Sequence, residues 1–245
     1  MIVATIAGQE VDRAGVQAWE NHRAMVVMRK LHLPDAGLTL PERRAALLAH
    51  KLAMGHAAIR RHLRFDLFAS HLIAVLLALL SGARRKVSVC ELAVSSGSAA
   101  QFRDWFAARV PRDDQAGMLA GCPDHYIIDT NAAGHQVVVE TVGGAPFTSE
   151  IIITYGDDSG IVTQPDPSYP LQIVGVARLA SGRAVGGVRH QFRQEGEGFR
   201  ALITAEFPAA TLGCMIAQHR WHLATEFSNW IEAAGAQSAA VAAGS

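Results

Sequence analysis

The sequence predicts an α+β protein: an antiparallel sheet wrapped on a long C-terminal helix, the helix-grip arrangement, preceded by an N-terminal helical arm. Three observations carry this reading. Residues 10 to about 82 read as helices. From Lys86 the texture changes to short β-branched runs separated by Gly, Asn, Asp and Pro. The stretch from Ala210 to Ala234 is helical again, and an amphipathic helix that closes a run of antiparallel strands buries its apolar stripe on them.

Within the arm, Val11–Leu33 places Val16, Trp19, Val26 and Val27 among polar residues and stops before Pro34. A second helix opens at Thr39 with Pro41 and Glu42, a capping box with proline in the first turn. It is rich in Ala, Leu and Arg, which favours helix, and its basic cluster Arg60, Arg61, His62 and Arg64 reads as a solvated face. Leu67–Leu80 is the most hydrophobic stretch, but it contains Ser70 and His71 and falls short of the roughly 20 residues that span a membrane. It reads as a buried helix, covered by the domain or by a partner chain. We therefore assign residues 1–82 to a helical arm that supports a homodimer.

Residues 83–235 form the predicted helix-grip domain. "KVSVCELAV" is its first strand, and Ser98 caps a short helix. "HYIID", "HQVVVETV", "EIIITYG", "LQIVGVARL", "AVGGVRHQF" and "FRALITAEF" are six more strands joined by short turns, which makes the sheet antiparallel. The low-complexity tail, residues 236–245, reads as disordered.

Composition narrows the function. Twenty-two basic and 22 acidic residues leave no net charge, and the arm offers no convincing recognition helix, so nucleic acid is not an expected partner. Cys90, Cys122 and Cys214 have no CxxC spacing and read as buried, reduced thiols of a cytoplasmic protein. "MIVATIAGQEVDR" has no basic leader region, so neither secretion nor a membrane is expected.

The chemistry concentrates in two places. In "HRWHLATE", His222 and Glu226 stand one helical turn apart on one face. In the first hairpin of the strand series, turning the chain at "NAAG" with Asn131 facing Gly134 sets His125 opposite Glu140, with Cβ atoms roughly 5 Å apart. If the closing helix packs on that face, two imidazoles and two carboxylates converge, a donor set suited to Zn²⁺. The residues alone leave the other reading open: a surface helix pair, an edge histidine and an exposed glutamate. A one-residue slip also turns His125 or Glu140 away.

The runs "CPDHYII…VVVETVGG", "GVRHQF…EGEGFRALITAEFP" and "HRWHLATEF" resemble the diacetylphloroglucinol hydrolase and phloretin hydrolase family over about residues 120–232. The resemblance implies a Bet v 1-like, START-like helix-grip domain. It also implies zinc held by a sheet histidine and glutamate and a helical His-x-x-x-Glu pair, here His125, Glu140, His222 and Glu226. The chain departs from the family ahead of His125, where Gly121-Cys122-Pro123 replaces a Trp-His-Pro stretch, and the interval from His125 to Glu140 is shorter. The implied reaction is hydrolysis of a carbon–carbon bond between an acyl group and a phenolic ring or β-dicarbonyl carbon, with metal-bound water as nucleophile. Its substrates are phenolic ketones or β-diketones.

A departing ring carbon needs a proton donor as well. Pairing Glu195 with Gly198 sets His190 opposite Ile203, alone among apolar residues on its face, so His190 is the expected donor beside a catalytic Glu226; a core histidine is the competing reading. The same register turns Glu206 to solvent. His219 is a second-choice ligand, Tyr126 points away from the site, and Tyr155 and Trp221 are possible pocket walls. The competing functions are a lipid- or polyketide-carrying helix-grip protein without catalysis and a metal-free polyketide cyclase or dehydratase.

Overall fold

The computed structural model describes residues 1–109 and 114–243. In chain order the elements are β1 (Ile2–Ile6), β2 (Gln9–Asp12), α1 (Arg13–Lys30), α2 (Leu40–His62), α3 (Arg64–Ser81), β3 (Arg85–Val94), α4 (Ala99–Ala107) and α5 (Gln115–Leu119). Then follow β4 (His125–Thr130), β5 (Gln136–Glu140), β6 (Ser149–Tyr155), β7 (Leu171–Arg178), β8 (Ala184–Glu195), β9 (Gly198–Pro208) and α6 (Gly213–Ala243). Among the described residues the strands form one antiparallel, nine-stranded sheet ordered β2-β1-β3-β9-β8-β7-β6-β5-β4. The fold is α+β with a long C-terminal helix.

The seven strands from Lys86 onward fall where the β-branched runs lie, and alternation sets their faces. Cys90, Leu92, Ala201, Ile203 and Phe192 point inward and pack with Phe102, Phe106, Phe227 and Trp230 from α4 and α6. That cluster is the main core, and α6 runs through it. A second cluster lies on the opposite face of β4 and β5, where Tyr126, Ile127 and Val139 meet Val27, Leu47 and Ile59 of α1 and α2.

The expected arm is helical only from Arg13. Its first 12 residues form a hairpin on β3, turning at Ala7 (φ 52°) and Gly8 (φ 81°), two left-handed residues that match a two-residue hairpin loop. Alternation of Ile2, Ala4 and Ile6 into the core is the signal that the helical reading passed over. Helix α1 is capped by Asp12, whose carboxylate accepts from the Gly15 N–H at 2.8 Å. Helix α2 has its capping box, Glu42 accepting from the Thr39 N–H at 2.7 Å, but breaks at Gly55 (φ 69°).

Four further expectations are corrected. Helix α3 is 18 residues long and 11% buried, so Leu67–Leu80 is not a buried helix within this chain; by length and composition alone it could cross a membrane. Glu206 does face away from the main core, but it is only 3% exposed. The 161–163 loop covers it, and its carboxylate accepts from the Val162 and Thr163 N–H groups at 2.9 and 2.6 Å. Residues 236–243 continue α6, where a disordered tail over 236–245 was expected, because an Ala-rich extension holds helix geometry; 244–245 lie outside the described residues. Cys214 is exposed, whereas Cys90 and Cys122 are buried; all three are free thiols.

Candidate metal centre

The register of β4 on β5 decides whether His125 meets Glu140, and it does, by two departures that cancel. The turn spans five residues, with Thr130 paired to Gln136, one residue out of the predicted alignment. A bulge between His125 and Ile127 then restores the lost residue. Tyr126 and Ile127 consequently pack on the same outer face, while His125 and Ile128 both face inward. His125 ends opposite Glu140 as predicted.

Helix α6 presents His222 and Glu226 to that pair. His125 Nε2 lies 3.2 Å from His222 Nε2, 3.4 Å from Glu140 Oε2 and 3.2 Å from Glu226 Oε2. His222 Nε2 lies 3.4 Å from Glu140 Oε2 and 3.6 Å from Glu226 Oε2. Four donor atoms at bond lengths of about 2.0–2.2 Å from a tetrahedral ion are separated by roughly 3.3–3.6 Å. Five of the six separations, 3.2–3.6 Å, lie at or just below the edges of that tetrahedron, and the four side chains are those read from the sequence.

Cys122, His125 and His222 also form a buried group able to hold a metal ion. Cys122 Sγ, however, stands 3.7 Å from His222 Nδ1, the ring nitrogen that does not join the carboxylates. Burial pushes the Cys122 thiol up to about 11, against the pull of His222. Cys122 is placed to orient His222 through Nδ1 while Nε2 faces the cluster. His125 is held the same way: Nδ1 meets the Met118 carbonyl at 3.4 Å, and the Trp230 ring stacks on it at 5.8 Å. Gly121 admits Trp230 there, since a Cβ on residue 121 falls 2.3 Å from the indole nitrogen.

Electrostatics bind the quartet together in the absence of metal. Burial opposes charge on His125, but hydrogen bonds to Glu140 and Glu226 carry its pKa above the ordinary value. Burial likewise opposes charge on His222, whose pKa Cys122, Glu140 and Glu226 raise well above the ordinary value. Burial favours neutral carboxyls, but the two imidazoles hold Glu140 well below the usual range and Glu226 at about 2.

The quartet lies in the wall of a cavity of about 850 Å³ between α6, the inner sheet face and α3, lined mainly by apolar side chains such as Ile128, Val138, Ile153 and Val188. His190 faces Ile203 as predicted and lines this cavity, its ring 4.7 Å from that of Phe227. Its Nδ1 accepts from the Thr204 N–H at 3.4 Å, so a neutral ring carries its hydrogen on Nε2. Burial lowers its pKa to about 4. His219 also lines the cavity but takes no part in the quartet: Nδ1 meets Ser88 Oγ at 3.0 Å, and the ring stacks on His222 at 5.3 Å. Gly143 lets its turn approach the backbone of α6, because a Cβ there falls 2.5 Å from the Met215 carbonyl oxygen and 2.7 Å from the His219 backbone nitrogen.

Tyr155 lines the cavity and donates to Gln136 Oε1 at 3.0 Å, whereas Trp221 packs against the core and is not part of the cavity wall. Tyr126 faces away, as expected. Sequence reasoning missed Lys51, Arg23, Asp124 and Trp230 around the site. The one signal for Lys51 is its place four residues after the buried Leu47 on the apolar stripe of α2. Compared with protein-family models and with curated proteins, the chain matches none.

Proposed function

We propose that the protein is a zinc-dependent hydrolase of the helix-grip type. In this reading it cleaves the carbon–carbon bond between an acyl group and a phenolic ring or β-dicarbonyl carbon, as the resemblance to diacetylphloroglucinol and phloretin hydrolases implies. The observation that carries the reading is the tetrahedral spacing of His125, Glu140, His222 and Glu226 in the wall of an apolar cavity. Two Nε2 atoms turned on each other at 3.2 Å repel if both are protonated, and a shared cation removes that conflict. Neither a carrier nor a metal-free cyclase needs this constellation.

A divalent cation held by these four side chains would need a fifth coordination position to take water; there it would supply a water that ionises near neutral pH and a charge that polarises the acyl carbonyl. In the net reaction water oxygen bonds to the acyl carbon and gives a carboxylic acid. The electron pair of the broken bond leaves on the ring as an enolate, and the ring carbon takes a proton. Glu226, through the carboxylate oxygen that is not turned to the quartet, would receive the proton of the attacking water and pass it to the ring carbon. His190, neutral at pH 7, offers Nε2–H to the ring oxygen that gains charge as the bond breaks. This narrows its expected role as proton donor to that of a neutral hydrogen-bond donor.

Two measurements test the reading. Elemental analysis of the purified protein should find one zinc per chain. Acylphloroglucinols, phloretin-like ketones or β-diketones should release a carboxylic acid, and a chelator should stop it. Activity that survives complete metal removal overturns the mechanism; a loaded protein that cleaves none of these compounds overturns the substrate class.

We further propose that α3 pairs with its counterpart in a second copy. Phe65, Phe68, Leu72, Ile73, Leu76, Leu79 and Leu80 are each 44–67% exposed along this helix. At roughly 200 Å² per large side chain, they present on the order of 800 Å², the share each partner gives to a stable interface. The same helix rims the cavity through Leu67, Phe68 and Ile73, so a paired α3 also narrows the mouth.

A further inference from the structure

Helices α1 and α2 reach the ligand-bearing segment from the side opposite the cavity. Lys51 of α2 is 2% exposed, and its Nζ donates to the carbonyl oxygens of Pro123 at 2.7 Å and His125 at 2.5 Å. Arg23 of α1 holds the fully buried Asp124 through two hydrogen bonds of 2.9 and 2.7 Å. The Asp124 carbonyl in turn accepts from the Thr141 N–H at 3.0 Å, one residue beyond Glu140. Three successive residues, Pro123, Asp124 and His125, are thus pinned immediately ahead of the bulge at Tyr126, whose ring also lies 5.4 Å from the Lys51 ammonium.

A buried ammonium is costly, and a buried carbonyl without a donor is costly as well. Each offsets the other only while the segment keeps this path. Straightening the bulge moves the His125 carbonyl away from Lys51 and slips His125 out of register with Glu140. The cation and the register therefore depend on the same few ångströms of backbone.

We propose that Lys51 and the Arg23–Asp124 pair are positioning residues of the metal centre, so that the N-terminal helices set the aim of His125 from behind the sheet. The inference rests on the metal reading above for its main test, though not on any substrate.

Lys51→Met keeps the length and removes the donors. Zinc and cobalt titrations against a chromophoric chelator should give binding about 10–100-fold weaker than wild type, the effect of losing support behind a ligand. The visible absorption of the cobalt-loaded protein should change as well, which a loss of stability alone does not cause. The double variant Arg23→Met/Asp124→Leu replaces both charges and leaves none unpaired; it should weaken binding in the same direction and decides the matter if Lys51→Met does not fold. Folded variants with wild-type affinity and cobalt spectrum overturn the proposal. A wild type that takes up no metal overturns instead the metal reading. Imidazole nitrogen spectra of the metal-free proteins then decide, and unchanged His125 and His222 signals in Lys51→Met count against the positioning role.

Discussion

At the residue scale, the quartet and His190 separate by substitution. His222→Ala or Glu226→Ala should lose metal and activity together. His190→Ala should keep a full complement of zinc yet lose turnover on the order of 10²–10³-fold, as when one oxyanion donor is removed; metal content measured beside steady-state rates checks it. Acid should weaken the metal. The raised values of His125 and His222 give the metal-free quartet a stability that is present below the ordinary histidine value and is lost as pH rises through the folded values. The lowered values of Glu140 and Glu226 give a contribution present above the ordinary carboxyl value and lost as pH falls, for Glu226 near about 2. Metal requires both imidazoles deprotonated, so the rise in melting temperature on adding zinc should grow from about pH 5 to about pH 8. A rise that is flat or shrinks over that range contradicts the ligand set. That these four side chains meet was legible in the sequence, through helical spacing on α6 and hairpin pairing on the sheet. The pairing held only because the longer turn and the bulge at Tyr126 compensate, and nothing in "HYIIDTNAAGHQVVVE" encodes a bulge by itself.

At the element scale, composition fixes what a segment is made of and leaves open what covers it. The strands from β3 to β9 and the closing helix were legible because a sheet with one face on the core must alternate. The hairpin of β1 and β2 left only a weak signal, the alternation of Ile2, Ala4 and Ile6, since its strands of five and four residues adjoin a helix and carry few periods. Helix α3 was identified correctly as helix and as apolar, but exposure is a property of neighbours. If its uncovered face seats a second copy, Leu72→Glu with Leu76→Glu should give a soluble monomer with unchanged metal content, read by sedimentation velocity and elemental analysis. A wild type already monomeric at micromolar concentration excludes the pairing; a monomer that binds lipid vesicles points to a membrane surface in its place.

At the scale of the whole molecule, the N-terminal arm and the rest of the chain do not come apart at residue 82. Strand β1 pairs with β3, Glu20 of α1 meets Arg44 of α2, and Asn229 of α6 donates to Glu20 and to the Gly121 carbonyl at 3.1 and 2.8 Å. Removing residues 1–82 uncovers Tyr126, Ile127 and Val139, frees the edge of β3 and deletes Lys51. The fragment should aggregate and hold no metal, judged by light scattering and elemental analysis. A soluble fragment with one zinc per chain contradicts this account. The order of the ligands along the chain has a consequence for how the protein is made. His125 and Glu140 are translated well before α6, and His222 follows His125 by 97 residues. Until α6 is released, the nascent chain exposes an imidazole and a carboxylate that can hold a cation only loosely. If the quartet holds an ion, tight loading therefore waits for the docking of α6, and a ribosome-bound chain stalled before α6 emerges should acquire no tightly held ion.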